Sequence, residues 1–294
     1  MGNVEADYNE VVTADVNGRF LPQTNIEIIN EMAGGHLPEH VLFDFDGTLS
    51  LVREGWPEVM IPMMVEILQE TGTGEDPDQL HSTVETFVME LNGKQTIYQM
   101  IRLAEEIRLR GGTGKDPLFY KKLYHDRLMA RIQERREGLR SGATDPEQML
   151  VPHSLDILRN LRDRDVQMYI ASGTDETYVR EEAELLGLTE FFGDNIHGAV
   201  DDFKSFSKAQ VIERILETNR VSGNKLLGFG DGYVEIQNIK ERQGIAVAVA
   251  SDESGRSGKP DMWKRKRLIG VGADIVIPDY RMHASLLELI WNTN

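Results

Sequence analysis

The chain has 294 residues, 40% of them apolar, a formal net charge of −17 and no cysteine. That length allows one large domain or two modest ones, and the lack of thiols excludes disulfides, thiolate metal sites and cysteine nucleophiles. The acidic balance argues against a nucleic-acid binder, and no apolar run approaches the roughly 18 residues of a membrane span.

The start, MGNVEADYNE, is too polar for a signal peptide, and Ala6 stands where a myristoylation motif wants Ser or Thr. The expectation is a cytoplasmic protein without nucleic-acid or membrane partners; oligomeric state is left open. Residues 1–38 form an extension, in which LPQTNIEIINEMAGG reads as a short helix between Pro22 and Gly34-Gly35. The apolar run VLFDFD then reads as the first core strand. From about Arg53 to Gln148 the spacing is helical. Leu80, Val84, Phe87, Val88 and Leu91 share one face, as do Ile97, Ile101, Ala104 and Ile107. GWPEVMIPMMVEILQE is a further helix that Pro62 would kink. Breaks at TGTGEDPD, NGK and GGTGKDP divide this block into about four helices.

After SGATDPEQML the pattern alternates. The helix SLDILRNLRD precedes the strand VQMYIAS, a helix around YVREEAELLGL and a short strand near NIHGAV. The helix KAQVIERILE, the strand KLLGFG, a helix near VEIQNIKE, the strand IAVAVA and a last strand DIVI follow. Lys264-Arg265-Lys266-Arg267 reads as the solvated face of a short helix. The pattern predicts an α/β fold, a parallel sheet covered by helices on both faces. Residues 39–52 and 149–294 form that core, and residues 53–148 form a helical insertion. Its hinges fall near Leu51-Val52-Arg53 and between Gln148 and Val151.

In such a sheet, functional groups gather at the carboxyl ends of strands. Asp44 and Asp46, two positions apart in the strand VLFDFD, point to one face and are neighbours in space. One carboxylate can attack phosphorus and the other can protonate a leaving group and later activate water. Gly47 lets the chain turn tightly. Ser172-Gly173-Thr174 closes the strand MYIAS and offers a hydroxyl and free N–H groups where a helix opens, an anion site. A lysine is needed to offset phosphate charge. Lys208 starts a helix whose core face is fixed by Val211 and Ile212, and it is preferred over Lys204 in the loop before it. Asp231 and Glu235, in GDGYVE, add carboxylates at another strand end. An oxygen-rich set without cysteine suits Mg2+.

DFDGT, Ser172, Lys208 and GDGYVE, in that order, resemble the four motifs of the haloacid dehalogenase-like superfamily. The resemblance runs from about Val41 to the C-terminus. It implies a Rossmann-like core with a helical cap after the first motif, and a phosphatase acting through an aspartyl-phosphate. Asp44 would be the nucleophile and Asp46 the general acid/base. Ser172 and Lys208 would hold the phosphoryl group, with Gly47, Thr48 and Gly173 beside it. Mg2+ would sit on the Asp44 carboxylate, the Asp46 carbonyl and Asp231, with Glu235 close by. The presence of Asp46 speaks against halide displacement. LNGKQTIYQ resembles the substrate-contacting cap loop of related enzymes, making Lys94 a candidate substrate contact. The implied substrate is a small phosphomonoester, such as a sugar phosphate or phosphoglycolate. A sugar phosphomutase and a non-catalytic phosphate-binding protein are the alternatives. The extension and ESGRSGKPDMWKRKRL fall outside the resemblance.

Overall fold

The computed structural model describes residues 16–31, 37–200, 202 and 205–292. Six parallel strands form the centre: β3 (His40–Phe43), β4 (Gln167–Asp175), β5 (Ile196–Ala199), β6 (Leu226–Gly230), β7 (Ile245–Val249) and β8 (Ile275–Ile277). Two short strands, β1 (Arg19–Phe20) and β2 (Glu27–Ile28), extend the sheet antiparallel beyond β8. The spatial order is β1-β2-β8-β7-β6-β3-β4-β5. The chain therefore leaves β3 in one direction to β4 and β5, then returns to β6 on its other side. That reversal makes the carboxyl end of β3 the topological switch point.

The central strands are apolar on both faces, as a doubly covered sheet requires. Val41, Phe43, Ile170, Leu227 and Phe229 point to one side. There they meet α5 (Ser154–Arg162), α6 (Glu176–Leu185) and α11 (His283–Asn292). Leu42, Tyr169, Leu226, Ala246 and Ala248 point to the other. They pack on α8 (Lys208–Asn219), α9 (Tyr233–Glu241) and α10 (Met262–Gly270). A short α7 (Thr189–Phe192) lies ahead of β5.

Between β3 and β4 stand α1 (Pro57–Gln69), α2 (Pro77–Glu90), α3 (Thr96–Leu109) and α4 (Pro117–Ser141). The expected apolar faces are buried at Leu80, Val84, Phe87 and Val88 and at Ile97, Ala104 and Ile107. Each of α1, α2 and α4 opens on a proline in its first turn, where the missing N–H costs nothing. The two chain segments that join this block to the sheet pair with each other. Leu51 N–H donates to Met149 O at 2.8 Å and Val151 N–H to Leu49 O at 2.9 Å.

The N-terminal segment departs from expectation. Residues 22–25 form a turn, with Gln23 at φ +61°, and Glu27–Ile28 is a strand rather than part of a helix. Edge pairing with β8 outweighs local helix propensity here, and Arg265 grips Glu27 from α10 with Nε at 2.7 Å. The Gly34-Gly35 end of the expected helix lies outside the described residues. The basic cluster is on a helix, as expected, but it is not solvated. Lys264, Arg265 and Arg267 are all buried, each against oxygen acceptors that hold it inside.

Candidate active site

Register sets the site. Phe43 lies level with Phe229 of β6 and Ile170 of β4. Regular β3 ends at Phe43, so strict strand alternation does not reach Asp44 and Asp46; a turn does the work instead. Gly47 sits at φ +75°, and a Cβ there would come within 2.3 Å of Asp231 Oδ2. Only glycine lets the turn press against that carboxylate. Asp44 and Asp46 still line one cavity together with Gly47, Ser172, Lys208 and Asp231.

Lys208 is the cation at the centre. Its Nζ is 2.9 Å from Asp44 Oδ2 and 2.7 Å from Glu235 Oε2. It occupies the first position of α8, where Ser207 caps the helix by accepting from Gln210 N–H. Burial alone would push its pKa down, but Asp44 and Glu235 outweigh that and raise it. Lys204, its rival, lies outside the described residues.

Asp44, Asp231 and Glu235 bring ligand oxygens within 4.8 Å of one another. Burial pushes the Asp44 carboxyl well above the ordinary range; Lys208 pulls it back, while Glu235 and Asp231 add to the rise. A nucleophilic carboxylate at this spot needs more positive charge than Lys208 brings. An all-oxygen donor set fits a hard divalent cation that would supply it. The Asp46 carboxylate is not part of this cluster.

Asp46 is held differently. Its Oδ2 accepts from Thr174 Oγ1 at 2.8 Å, while its buried Oδ1 has no hydrogen-bond partner. Arg53 Nε lies 3.8 Å from that oxygen, but its guanidinium is committed to Glu182 through two bonds of 3.0 and 2.8 Å. Burial raises the Asp46 carboxyl to about 6; Arg53 opposes the rise and Glu182 adds to it. A carboxyl that titrates near neutrality can both give and take a proton. The folded state thus binds this proton more tightly than the unfolded chain, whose ordinary value is 3.8. The group's ionisation opposes folding above pH ~6, and the penalty disappears as pH falls below the unfolded value. Asp46→Asn is therefore expected to gain roughly 2–3 kcal/mol at pH 8 in metal-free buffer. The gain should shrink steadily below pH ~6 and vanish only below the unfolded value, near pH ~3. Urea denaturation at the two pH values checks this, and a destabilised variant at pH 8 would refute it.

Ser172 and Gly173 sit in β4 rather than at a helix start. The strand continues to Asp175, α6 opens at Glu176, and the register shifts between Ala171 and Asp175. The anion site expected there is a strand end, with Ser172 Oγ accepting from Thr174 N–H at 3.1 Å. Thr48 is corrected too. It is fully buried and exchanges two bonds with Asp231, donating to Oδ1 at 3.2 Å and accepting from the backbone N–H at 3.0 Å. It holds the acidic cluster and does not face the cavity. Lys94 lines the cavity, with its ammonium 5.3 Å from the Tyr98 ring.

Several residues take roles that the sequence does not assign to them. Thr174 orients Asp46, and Arg53 and Glu182 form a buried pair beside it. Lys264 Nζ reaches Asp231 Oδ2 at 2.8 Å, Glu253 Oε1 at 2.6 Å and Ser251 Oγ at 3.0 Å. Ser251 in turn donates to Gly47 O at 2.6 Å. The stretch outside the resemblance is thus a wall of the acidic cluster.

No curated protein matches the chain. Among solved structures, a predicted phosphatase from Clostridium acetobutylicum is similar at 17% identity and TM-score 0.54, over 86% of this chain and 99% of that one. A predicted phosphoglycolate phosphatase from Haemophilus somnus is similar at 12% identity and TM-score 0.55, over 85% and 97%. A β-phosphoglucomutase from Clostridium difficile is similar at 12% identity and TM-score 0.51, over 86% and 97%. These likenesses establish the fold. The family model for haloacid dehalogenase-like hydrolases matches residues 38–241, which carry Asp44, Asp46, Ser172, Lys208, Asp231 and Glu235. The chain belongs to the haloacid dehalogenase-like hydrolases.

Proposed function

We propose that the protein is a cytoplasmic, Mg2+-dependent phosphatase that cleaves a small phosphomonoester through an aspartyl-phosphate on Asp44. The observation that carries this reading is the division of labour between the two aspartates. Asp44 is paired with Lys208 beside an oxygen cluster, whereas Asp46 stands apart with a free buried oxygen and a pKa of about 6.

Asp44 attacks phosphorus as Asp46 gives its proton to the departing oxygen. Asp46 then takes a proton from the water that hydrolyses the aspartyl-phosphate. Lys208, fixed by Glu235, and the backbone near Ser172 and Gly173 hold the nonbridging oxygens. Asp44, the Asp46 carbonyl and Asp231, with Glu235 beside them, would hold Mg2+, which when bound would supply further positive charge against the phosphoryl group. Residues 53–148 act as a cap that excludes bulk water and presents Lys94 to the leaving group.

The test is phosphate release from a panel of small phosphomonoesters, including sugar phosphates and phosphoglycolate. Release that needs Mg2+ is expected, and the best ester names the substrate class. Interconversion of sugar phosphates without net release would mean a phosphomutase, which uses the same two aspartates. No turnover of either kind would leave a phosphate-binding protein and overturn the reading.

A further inference from the structure

The basic run on α10 touches three separate parts of the molecule. Lys264 reaches the acidic cluster, Arg265 the N-terminal strands, and Arg267 the helical block. Arg267 is buried, and its guanidinium stands over two rings, 4.7 Å from the centre of Tyr233 and 4.9 Å from that of Trp263. Its two terminal nitrogens donate to backbone carbonyls at the end of α2 and in the loop after it, while the buried Nε has no hydrogen-bond partner. Nη1 bonds Met89 O, and Nη2 bonds Glu90 O at 2.7 Å and Asn92 O at 3.1 Å.

Met89 and Glu90 carry carbonyls at the negatively polarised end of α2, and Asn92 O belongs to the loop that follows it. The planar end of a guanidinium, with its two terminal nitrogens, can reach all three at once, which a lysine ammonium cannot match in shape. The loop they start, Asn92-Gly93-Lys94, lies directly on the acidic site. A Cβ on Gly232 would come 2.8 Å from Gly93 Cα, and one on Gly173 would come 2.7 Å from Lys94 O. Asn92, Gly93 and Lys94 all line the cavity. Tyr233, which stacks on Arg267, belongs to the same GDGYVE segment as Asp231 and Glu235.

We infer that Arg267 is a positioning residue that pins the Asn92–Lys94 loop over the site and so sets recognition of the leaving group. Its guanidinium ties the end of α2 to the sheet-side wall that carries Asp231. The pinning stands on geometry alone; its part in leaving-group choice rests on the phosphatase reading above.

The test uses the full chain with Arg267→Met, which keeps an apolar stem between the rings, and Arg267→Lys, which keeps the charge without the fork. Amide hydrogen exchange in residues 89–95 is expected to quicken about tenfold or more in Arg267→Met and less in Arg267→Lys, with β3 and β6 unchanged. For the ester cleaved best by the wild type, kcat/KM should fall about 10–100-fold, mainly through KM. Acetyl phosphate, whose leaving group is too small to reach the loop, should change less than about threefold. Unchanged exchange in residues 89–95 overturns the inference. So does quickened exchange across the whole sheet in both variants, or an equal loss on both substrates. If the wild type cleaves no ester, the phosphatase reading has failed while the exchange measurement still decides the pin.

Discussion

Asp44→Asn is expected to abolish phosphate release, lowering kcat by about 10⁴-fold or more, because no other group can take over covalent attack at that point. The neighbouring acids are already engaged. Glu235 is bonded to Lys208 and to Gly232 N–H, and Asp231 to Thr48 and Lys264. Asp46 stands outside the cluster. The amide keeps the shape of the carboxylate and removes a charge that burial disfavours, so the variant should fold at least as well as the wild type. Loss of turnover without loss of stability separates a chemical role from a structural one. Denaturation midpoints measured beside the rate check both halves.

Glu182→Leu is expected to cost about 3–5 kcal/mol of stability, the effect of stripping one partner from a buried ion pair. Glu182 is fully buried on α6 and holds Arg53 through two bonds along one edge of the guanidinium, from Nε and Nη2. Without it, Arg53 is left facing Asp46, and the Glu182 charge that adds to the burial-driven rise of the Asp46 pKa is gone. Arg53→Met combined with Glu182→Leu should recover most of the loss, since an apolar pair of similar volume pays no desolvation penalty. Urea denaturation of the single and double variants checks this. A single variant within about 1 kcal/mol of wild type would mean that the pair is not the buried unit described here.

Much of this was legible in the letters, because it is local. The strand ends, the helix faces and the four stretches from DFDGT to GDGYVE are each short, and periodicity or turn chemistry marks them. Lys208 could be chosen over Lys204 because Val211 and Ile212 fix its helix against the core. What could not be read is what distant segments do to one another. Arg53 and Glu182 are 129 positions apart, and Thr174 meets Asp46 across 128. No spacing rule reaches that far. The KRKR run shows the same limit from the other side. A cluster of cations reads as solvated until carboxylates and carbonyls from three remote segments are seen to surround it. The N-terminal strands fail for a related reason, since an edge strand of two residues has no period to detect. Ser172 reads as a helix start because the strand's irregular end, with its register shift, looks in sequence like an ordinary cap.

The most direct measurement of the central claim is to trap the phosphoenzyme. Wild-type protein is mixed with its best ester and Mg2+, quenched in acid and reduced with borohydride, and its peptides are weighed. An aspartyl-phosphate reduces to homoserine, and the account predicts that conversion at position 44 alone, with none in Asp44→Asn. Homoserine at another carboxylate, or phosphate release at full rate with no trapped residue, would contradict it.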